Sequence, residues 1–331
     1  MSGKGKNAID MTGGSLWKNI LVFSLPLMMT QMLEVLFNLS DVAIAGKYAD
    51  YIALGAVGST ALLVSLFTGI LIGMGAGVNV RTAHQLGAEK TSGSSETVAR
   101  TVYSGLIVCL IIGIILCLVC NIFARPMLET LKTKDELIES AVLYLKIYAL
   151  GMPAMAVYNF GNGVLSACGE TKKPLVYLSI AGVLNVILNI FFVVVCKKAA
   201  DGVAIASVIA QYLSASMIMC HLLRRKDSCK LRLSNKYFDT SACGGVLMIG
   251  IPTGMQNAIF AVANLFVQTG VNHFDAVMVS GNSAAQNADT LIFNVMAAIY
   301  TACASFISRN HGEGKNDRIL KSYFISLFYS F

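Results

Sequence analysis

Eight long apolar runs, separated by short polar segments, limit the folds open to this chain more than any other feature. An α-helix needs about 20 apolar residues to cross the ~30 Å core of a bilayer, and a ninth run begins near residue 319. Only 13% of the residues are charged, whereas soluble domains have about 25%. The sequence therefore predicts an all-α polytopic membrane protein. The predicted spans are about 17–46, 52–80, 99–123, 139–167, 174–196, 202–223, 243–271 and 277–307.

The Lys and Arg residues fall mostly on one side of this predicted topology. If the N-terminus is cytoplasmic, 18 of the 25 lie in cytoplasmic segments and 7 lie on the opposite side. Cytoplasmic loops of membrane proteins carry such an excess. The sequence therefore predicts a membrane protein whose N-terminus is cytoplasmic and whose first span is retained. The net charge of +7 is explained by this bias and requires no nucleic-acid partner.

The sequence repeats itself at an offset of 225 to 226 residues. This offset aligns Pro26 with Pro252 and HQLGAEK (84–90) with RNHGEGK (309–315). Six predicted spans separate equivalent points, so both copies enter the membrane in the same direction and form a parallel repeat. The second copy is still incomplete at Phe331, inside its third span. The predicted domains are a cytoplasmic N-terminal segment (1–16), a six-helix N-lobe (17–223), a basic cytoplasmic linker (224–242) and a partial C-lobe of two and a half helices (243–331).

The first predicted span carries a polar stripe formed by Gln31, Glu34, Asn38 and Asp41. Their spacings of 3, 4 and 3 place all four on one helix face. A charge at the centre of a membrane helix costs roughly 2.5–3.5 kcal/mol on insertion scales, so such groups usually face a bundle interior or water. A carboxylate there can exchange a proton or hold Na⁺ together with other oxygen atoms. The alternative is a buried, hydrogen-bonded packing residue, and for Glu34 the two interpretations are equally supported.

Other spans carry neutral polar residues at helical spacing. These sets are Asn159 with Asn162, Asn185 with Asn189, and Ser207 with Gln211 and Ser214. If they face one bundle interior together with Asp41, they form a hydrated cavity, with Tyr144 and Tyr148 near its rim. Pro26 lies within the first span, where it removes one backbone hydrogen bond. We therefore expect Pro26 to act as a hinge.

No sequence motif of catalysis is present. The chain contains no H-E-x-x-H, P-loop or G-x-S-x-G pattern, and we predict that it is not an enzyme and needs no cofactor beyond a coupling ion. Cys117 and Cys120 form a C-x-x-C within an apolar run without a second pair nearby. We expect these and the other cysteines of the spans, Cys168 among them, to be packed or lipid-facing thiols.

Several segments, taken in order, resemble the multidrug and toxic compound extrusion (MATE) family. They are FNLSDVAIAG (37–46), ALGAVG (53–58), HQLGAEK, CGETKKP (168–174), LNVILN (184–189) and RNHGEGK. The resemblance implies twelve helices in two six-helix lobes. It also implies an H⁺- or Na⁺-coupled antiporter that exports amphipathic or cationic compounds by alternating access. The resemblance also implies a multi-pass protein of the plasma membrane, and we expect a monomer surrounded by membrane lipids.

The resemblance also implies a cation site in the N-lobe. Its centre matches Asp41, and its companions match Tyr144, Asn162, Asn185, Asn189 and Ser207. If the ion is Na⁺, Asp41, Asn185 and Asn189 are the implied ligands. Some members carry Asp at the position of Asn189, so this site has one carboxylate fewer and Glu34 is the candidate for the second charge. Phe260 stands where another branch has Glu, which speaks against a C-lobe cation site of that branch's type.

Two alternatives remain at this point. A lipid-linked oligosaccharide flippase of the same superfamily would share the helices and the repeat, but it should line its cavity with cationic residues to bind a diphosphate. The inner faces of the predicted helices carry almost none. The second alternative is a fragment of a transporter that has no activity of its own.

Overall fold

The computed structural model of the chain describes residues 8–271 and 276–331. These residues form helices and connecting turns, with no strand in either range. A π-helical turn, Phe191–Val195, extends the sixth helix. The helices are α1 (Leu16–Tyr48), α2 (Tyr51–Ser92), α3 (Ser95–Thr130), α4 (Asp135–Ala149), α5 (Met152–Ala167), α6 (Lys172–Ile190), α7 (Ala200–Arg224), α8 (Thr240–Val271), α9 (Ala276–Gly312) and α10 (Asn316–Ser330). The prediction of an all-α fold is confirmed.

Among the described residues, seven helices are long and apolar enough to cross a membrane. An eighth span results if α4 and α5 are counted together, since the two helices meet at a bend of 45°. The sequence predicted one uninterrupted span over 139–167, whereas the structure has two helices there, α4 and α5. The physical reason for the break is Pro153, which lies in the first turn of α5. In the first turn of a helix the missing N–H of proline has no partner to lose, whereas inside one continuous helix it would remove a backbone hydrogen bond.

Helices α1–α7 come from the first repeat and α8–α10 from the second, and α2 and α8 pack closely across the boundary. The contact consists of glycines on both helices. A Cβ atom on Gly73 would lie 2.3 Å from the backbone nitrogen of Gly254, and one on Gly77 would lie 2.5 Å from the carbonyl oxygen of Val246. Small residues allow membrane helices to approach this closely. The Gly run at 69–77 is therefore a packing surface between the repeats.

Residues that the repeat makes equivalent meet each other in the structure. Asn79 Nδ2 donates to Ser305 Oγ at 2.8 Å, Ser305 Oγ lies 3.1 Å from Asn79 Oδ1, and the two positions are 226 residues apart. Both side chains are buried. Gly87 and Gly312 also cross backbone to backbone, since their Cβ atoms would lie 2.2 Å from the Arg309 oxygen and 2.0 Å from the His84 oxygen. These pairs lie on the axis that relates the two repeats.

We call the end of the molecule that carries residues 8–15 and the α2–α3, α5–α6, α7–α8 and α9–α10 connections the basic end. Its ion pairs include Lys90 with Glu313 at 3.1 Å and half-buried Arg225 with Glu170 at 3.1 Å. The pKa of the Arg225 guanidinium lies above its ordinary value: burial lowers it, but hydrogen bonding and charge from Asp227 and the charge of Glu170 more than compensate.

The expectation of packed thiols is wrong for Cys168. This residue forms a disulfide with Cys229, with a sequence separation of 61. The reason is that α5 ends at Ala167, which places Cys168 in the turn before α6. The chain after α7 returns to that turn, so the thiols of the turn and of the α7–α8 connection meet. Cys109, Cys117 and Cys120 are free, in accord with the expectation.

Candidate functional site

The polar residues of α1, α6 and α7 form a closed ring of hydrogen bonds around Asp41. Asn189 Nδ2 donates to Asp41 Oδ1 at 2.5 Å, and Ser207 Oγ donates to Asp41 Oδ2 at 3.1 Å. Asn185 closes the ring, because its Nδ2 donates to Ser207 Oγ and its Oδ1 accepts from Asn189 Nδ2, both at 3.2 Å. The helical periodicity of α6 explains the arrangement, since residues four apart lie on one face.

All four members of the ring are buried, and Asp41 exposes only 8% of its surface. The carboxylate therefore has two donors but lies out of bulk water. Within the described part of the chain, Asn189 Oδ1 is buried without a hydrogen-bond partner. An unsatisfied amide oxygen beside a carboxylate provides oxygen ligands of the kind that hard cations prefer. Two ways of neutralising the Asp41 charge are therefore open chemically: a cation held by these oxygen atoms, or a proton on the carboxylate.

Of the two expected companions outside the ring, Tyr144 lies beside it and Asn162 does not. Tyr144 and Tyr148 on α4 are buried with stacked rings, 6.0 Å between centroids, close enough to Asp41 to interact with its charge. Asn162 on α5 accepts from Ser166 Oγ at 3.5 Å. It is absent from the ring and from the cavity wall described next. Of the six residues of the implied site, the structure thus joins Asp41, Asn185, Asn189 and Ser207 directly and places Tyr144 next to them. Of the two tyrosines expected near the cavity rim, Tyr148 lines the cavity and Tyr144 is not part of its wall.

A cavity of about 680 Å³ adjoins the ring and is lined by both repeats. This volume lies within the range of roughly 300–1,000 Å³ that is typical of small-molecule sites. The whole stripe of α1, Gln31, Glu34, Asn38 and Asp41, lines it. From the second repeat come polar residues and the Phe260–Phe293 pair, whose ring centroids are 5.4 Å apart. The cavity therefore presents amide, carboxylate and aromatic groups to an occupant.

The charged groups of the cavity are all acidic. Glu34, Asp41 and Asp289 line it, and its described lining includes no Lys, Arg or His. A cleft lined by one sign of charge concentrates ions of the opposite sign. The aromatic pair adds faces that attract cations. The cavity is therefore suited to bind cations.

Some cavity residues were not identified from the sequence. Ser65 and Thr68 of α2, Tyr158 of α5 and Asn294 of α9 line the wall. Helical spacing relates Ser65 to Thr68 and could have indicated them. For the axis pair Asn79 and Ser305, the signal was the repeat offset itself. Asp289 of α9, which falls within the apolar run predicted over 277–307, lines the same cavity as Glu34.

The fold and this site define a multi-pass α-helical membrane protein with an acidic cavity between two repeats. The family model described as MatE matches residues 26–191 and 252–331, two segments that begin at Pro26 and Pro252, the aligned prolines of the repeat. The chain belongs to the MatE family.

Known proteins of this kind are distant relatives. "Probable multidrug resistance protein YpnP" of Bacillus subtilis is 27% identical over 314 residues, which are 94% of this chain and 69% of the relative. A "FAD transporter" of Shewanella oneidensis is 23% identical over 93% of this chain and 68% of that protein. The structure of a MOP superfamily transporter from Pyrococcus furiosus matches with a TM-score of 0.88 and 20% identity, covering 98% of this chain and 71% of that one. The chain spans about two thirds of the length of the curated relatives it matches.

Proposed function

We propose that the complete protein is a cation-coupled antiporter that exports amphipathic cations by alternating access. The acidic cavity between the repeats carries this proposal. Three carboxylates line it without a basic residue among the described ones, so a cationic substrate gains attraction that an anion lacks. The relative from Bacillus subtilis, named a probable multidrug resistance protein, supports the same assignment.

The coupling ion binds at Asp41 in this proposal. A proton or Na⁺ neutralises the carboxylate within its ring, which removes negative charge from the adjoining cavity and weakens its hold on a cationic substrate. The unpartnered Asn189 Oδ1 supports Na⁺, and the single carboxylate of the ring supports H⁺. The two lobes then expose the cavity alternately to each side of the membrane.

We place the protein in the plasma membrane with the basic end in the cytoplasm. The charge distribution supports this orientation, since Arg224, Arg225 and Lys226 and most other basic residues of the connections lie at that end. The N-terminal segment is then cytoplasmic as well.

The flippase alternative and a flavin dinucleotide substrate share one requirement, which is a group that binds a diphosphate. Arg and Lys side chains usually supply it. The described cavity lining has none, and its carboxylates would repel a diphosphate. The cavity therefore favours cationic over anionic substrates, even though one relative is named a FAD transporter.

Glu34→Gln tests the role of cavity charge. We expect the complete protein in vesicles to bind ethidium, an amphipathic cation, about tenfold more weakly after this change, since a charged hydrogen-bonding partner contributes about 1.5–3 kcal/mol. Fluorescence titration measures the affinity. Glu136→Gln, which removes a carboxylate from the start of α4, is the matched control and should leave it unchanged. Equal affinities for all three proteins, or stronger binding of FAD than of ethidium, would contradict the proposal.

Pro26→Ala tests the hinge in α1. The helix continues through Pro26, which is buried, and Thr30 Oγ1 donates to the Pro26 carbonyl oxygen at 2.8 Å. Restoring the missing N–H stiffens this turn, so we expect slower ethidium efflux with unchanged ethidium binding. Pro126→Ala, at an exposed proline within α3, is the control. Unaltered efflux by the Pro26 variant would remove the hinge from the mechanism.

A further inference from the structure

We propose that residues 9–14, which we call the strap, are a latch that holds the basic ends of the two lobes together. The strap must detach from the residues that bind it before the lobes can separate at that end. The strap runs directly into α1. This inference rests on the alternating access of the proposed function. It concerns how that movement is controlled, and the cavity residues play no part in it.

The second repeat binds the strap through its main-chain carbonyl groups. Arg318 on α10 gathers three of them, since Nη1 donates to the Gly14 oxygen at 3.2 Å and Nη2 to the Gly13 and Met11 oxygens at 3.2 and 3.4 Å. Lys315 Nζ donates to the Thr12 oxygen at 2.9 Å, and Asn310 Nδ2 donates to the Met11 oxygen at 3.1 Å. Asn310, Lys315 and Arg318 thus bind the main chain of the strap and not its side chains. Arg318 makes the most of these contacts.

The first repeat holds the same strap from the other side. The Ile9 N–H donates to the Gly169 oxygen at 3.1 Å. Gly169 has a φ of +86°, and a Cβ there would lie 2.5 Å from the Ile9 oxygen, so only glycine fits this contact. Lys90 Nζ donates to Thr12 Oγ1 and pairs with Glu313 at 3.1 Å. The strap is therefore tied to both repeats at once.

Glu313, in the α9–α10 connection, is the acidic partner of the lysines that hold the strap. Burial raises the pKa of the Glu313 carboxyl, but hydrogen bonds from Lys315, Thr12 and Lys90 outweigh it and hold the pKa below its ordinary value. Because the pKa of Glu313 is lower in the folded protein than in the unfolded chain, its ion pair with Lys90 is fully present above the ordinary pKa of a glutamate. The ion pair is lost only as the pH falls through the lower pKa of the folded protein. At neutral pH the Glu313 carboxylate therefore stays ionised and keeps its ion pair with Lys90.

The strap is also packed as an apolar wedge between the lobes. Met11 and Thr12 expose 3% and 4% of their surfaces. Met11 belongs to a cluster with Phe23 of α1 and Phe306 of α9, whose rings meet edge to face at 5.5 Å. A surface tail would leave these residues in water. Because α1 belongs to the first repeat and α9 to the second, separating the lobes at this end exposes the cluster and breaks the carbonyl contacts together.

The test is the distance between the lobes at the basic end. Nitroxide labels at exposed Ser94 and Lys321 report it in the complete protein in nanodiscs, after exposed Cys196 and Cys220 are replaced by serine. We expect Arg318→Met to raise the ratio of long to short distances about fivefold or more. Arg318→Lys keeps the positive charge but loses the two guanidinium nitrogens that bind three carbonyl oxygens, so it should give a smaller rise in the same ratio. This variant also keeps the test decisive if the methionine variant does not fold. Arg224→Met removes an exposed arginine from the same end and should change nothing.

The outcomes separate the latch from the transport cycle. If the wild type shows two distances and both Arg318 variants keep its ratio, the strap is only an anchor and the inference is overturned. If the wild type keeps one distance with and without ethidium at pH 5 and 8, the lobes do not move and alternating access itself fails. A shifted ratio in the Arg318 variants, with the Arg224 control unchanged, supports the latch.

Discussion

Asp41→Asn abolishes ion-driven efflux of ethidium by the complete protein while leaving it folded in the membrane. The ring explains why both results are expected. Asparagine keeps the shape of the side chain and can still hydrogen-bond Ser207, so the buried contacts among α1, α6 and α7 remain. The negative charge that a proton or Na⁺ would neutralise is gone. We expect the ion-driven part of the efflux to be lost, which the assay records as a fall of at least tenfold, since losing a charged contact of about 1.5–3 kcal/mol has that consequence.

The measurement is ethidium efflux from cells that carry the complete protein, with membrane insertion checked by size-exclusion chromatography in detergent. Ser40→Ala, which changes a neighbouring residue outside the ring, is the control. Repeating the assay in Na⁺-free buffer with an imposed pH gradient, and in Na⁺ buffer without one, identifies the coupling ion. Wild-type efflux by the Asp41 variant would remove this residue from the coupling site.

Gly73→Ala lowers the thermal stability of the protein by several degrees. The added Cβ would lie 2.3 Å from the Gly254 nitrogen and 2.5 Å from its Cα, and both are backbone atoms that cannot rotate aside. The helices α2 and α8 must move apart along their contact. Overpacking of this kind costs about 1–3 kcal/mol, which corresponds to roughly 2–4 °C per kcal/mol in a chain of a few hundred residues.

The control for this prediction lies on the same helix. A Cβ on Gly58 meets nothing within 4 Å, so Gly58→Ala should keep or slightly raise the melting temperature through its better helix propensity. Thermal unfolding followed by tryptophan fluorescence of Trp17 in detergent compares the two variants. Equal melting temperatures would show that α2 and α8 do not touch as the structure describes.

The local parts of the fold and site follow from the sequence. Apolar run length predicts the spanning helices, and spacings of three and four predict that Asn185 and Asn189 share a face and that the stripe of α1 faces a cavity. These patterns depend on the helix alone. The prediction fails locally only where one run hides a break, as at Pro153, because run length does not register a bend.

The parts that join distant segments could not be predicted in the same way. The strap depends on where Arg318 comes to rest relative to Gly14, and Cys168 meets Cys229 only because the chain returns to the α5–α6 turn after α7. Such contacts require the relative placement of the helices, which periodicity does not contain. Asn162 shows that a local pattern can also mislead. Its helical spacing and the family resemblance predicted a place in the ring around Asp41, but in the packed structure it pairs with Ser166 instead. The sequence did carry the offset that pairs Asn79 with Ser305, because equivalent residues near a symmetry axis necessarily approach each other.

The meeting of Asn79 with Ser305 and of Gly87 with Gly312 has a consequence for how this chain can change over time. In a two-fold homodimer a residue at the axis touches its own copy, so one mutation alters both sides of the contact. Here the copies are fused and have diverged, as the Asn–Ser pair shows, and each half of the contact mutates alone. Gly87 and Gly312 are still both glycine, since either backbone would collide with a side chain on the other. The axis therefore acts as an internal dimer interface, at which substitutions in one repeat are tolerated only when the other repeat already accommodates them.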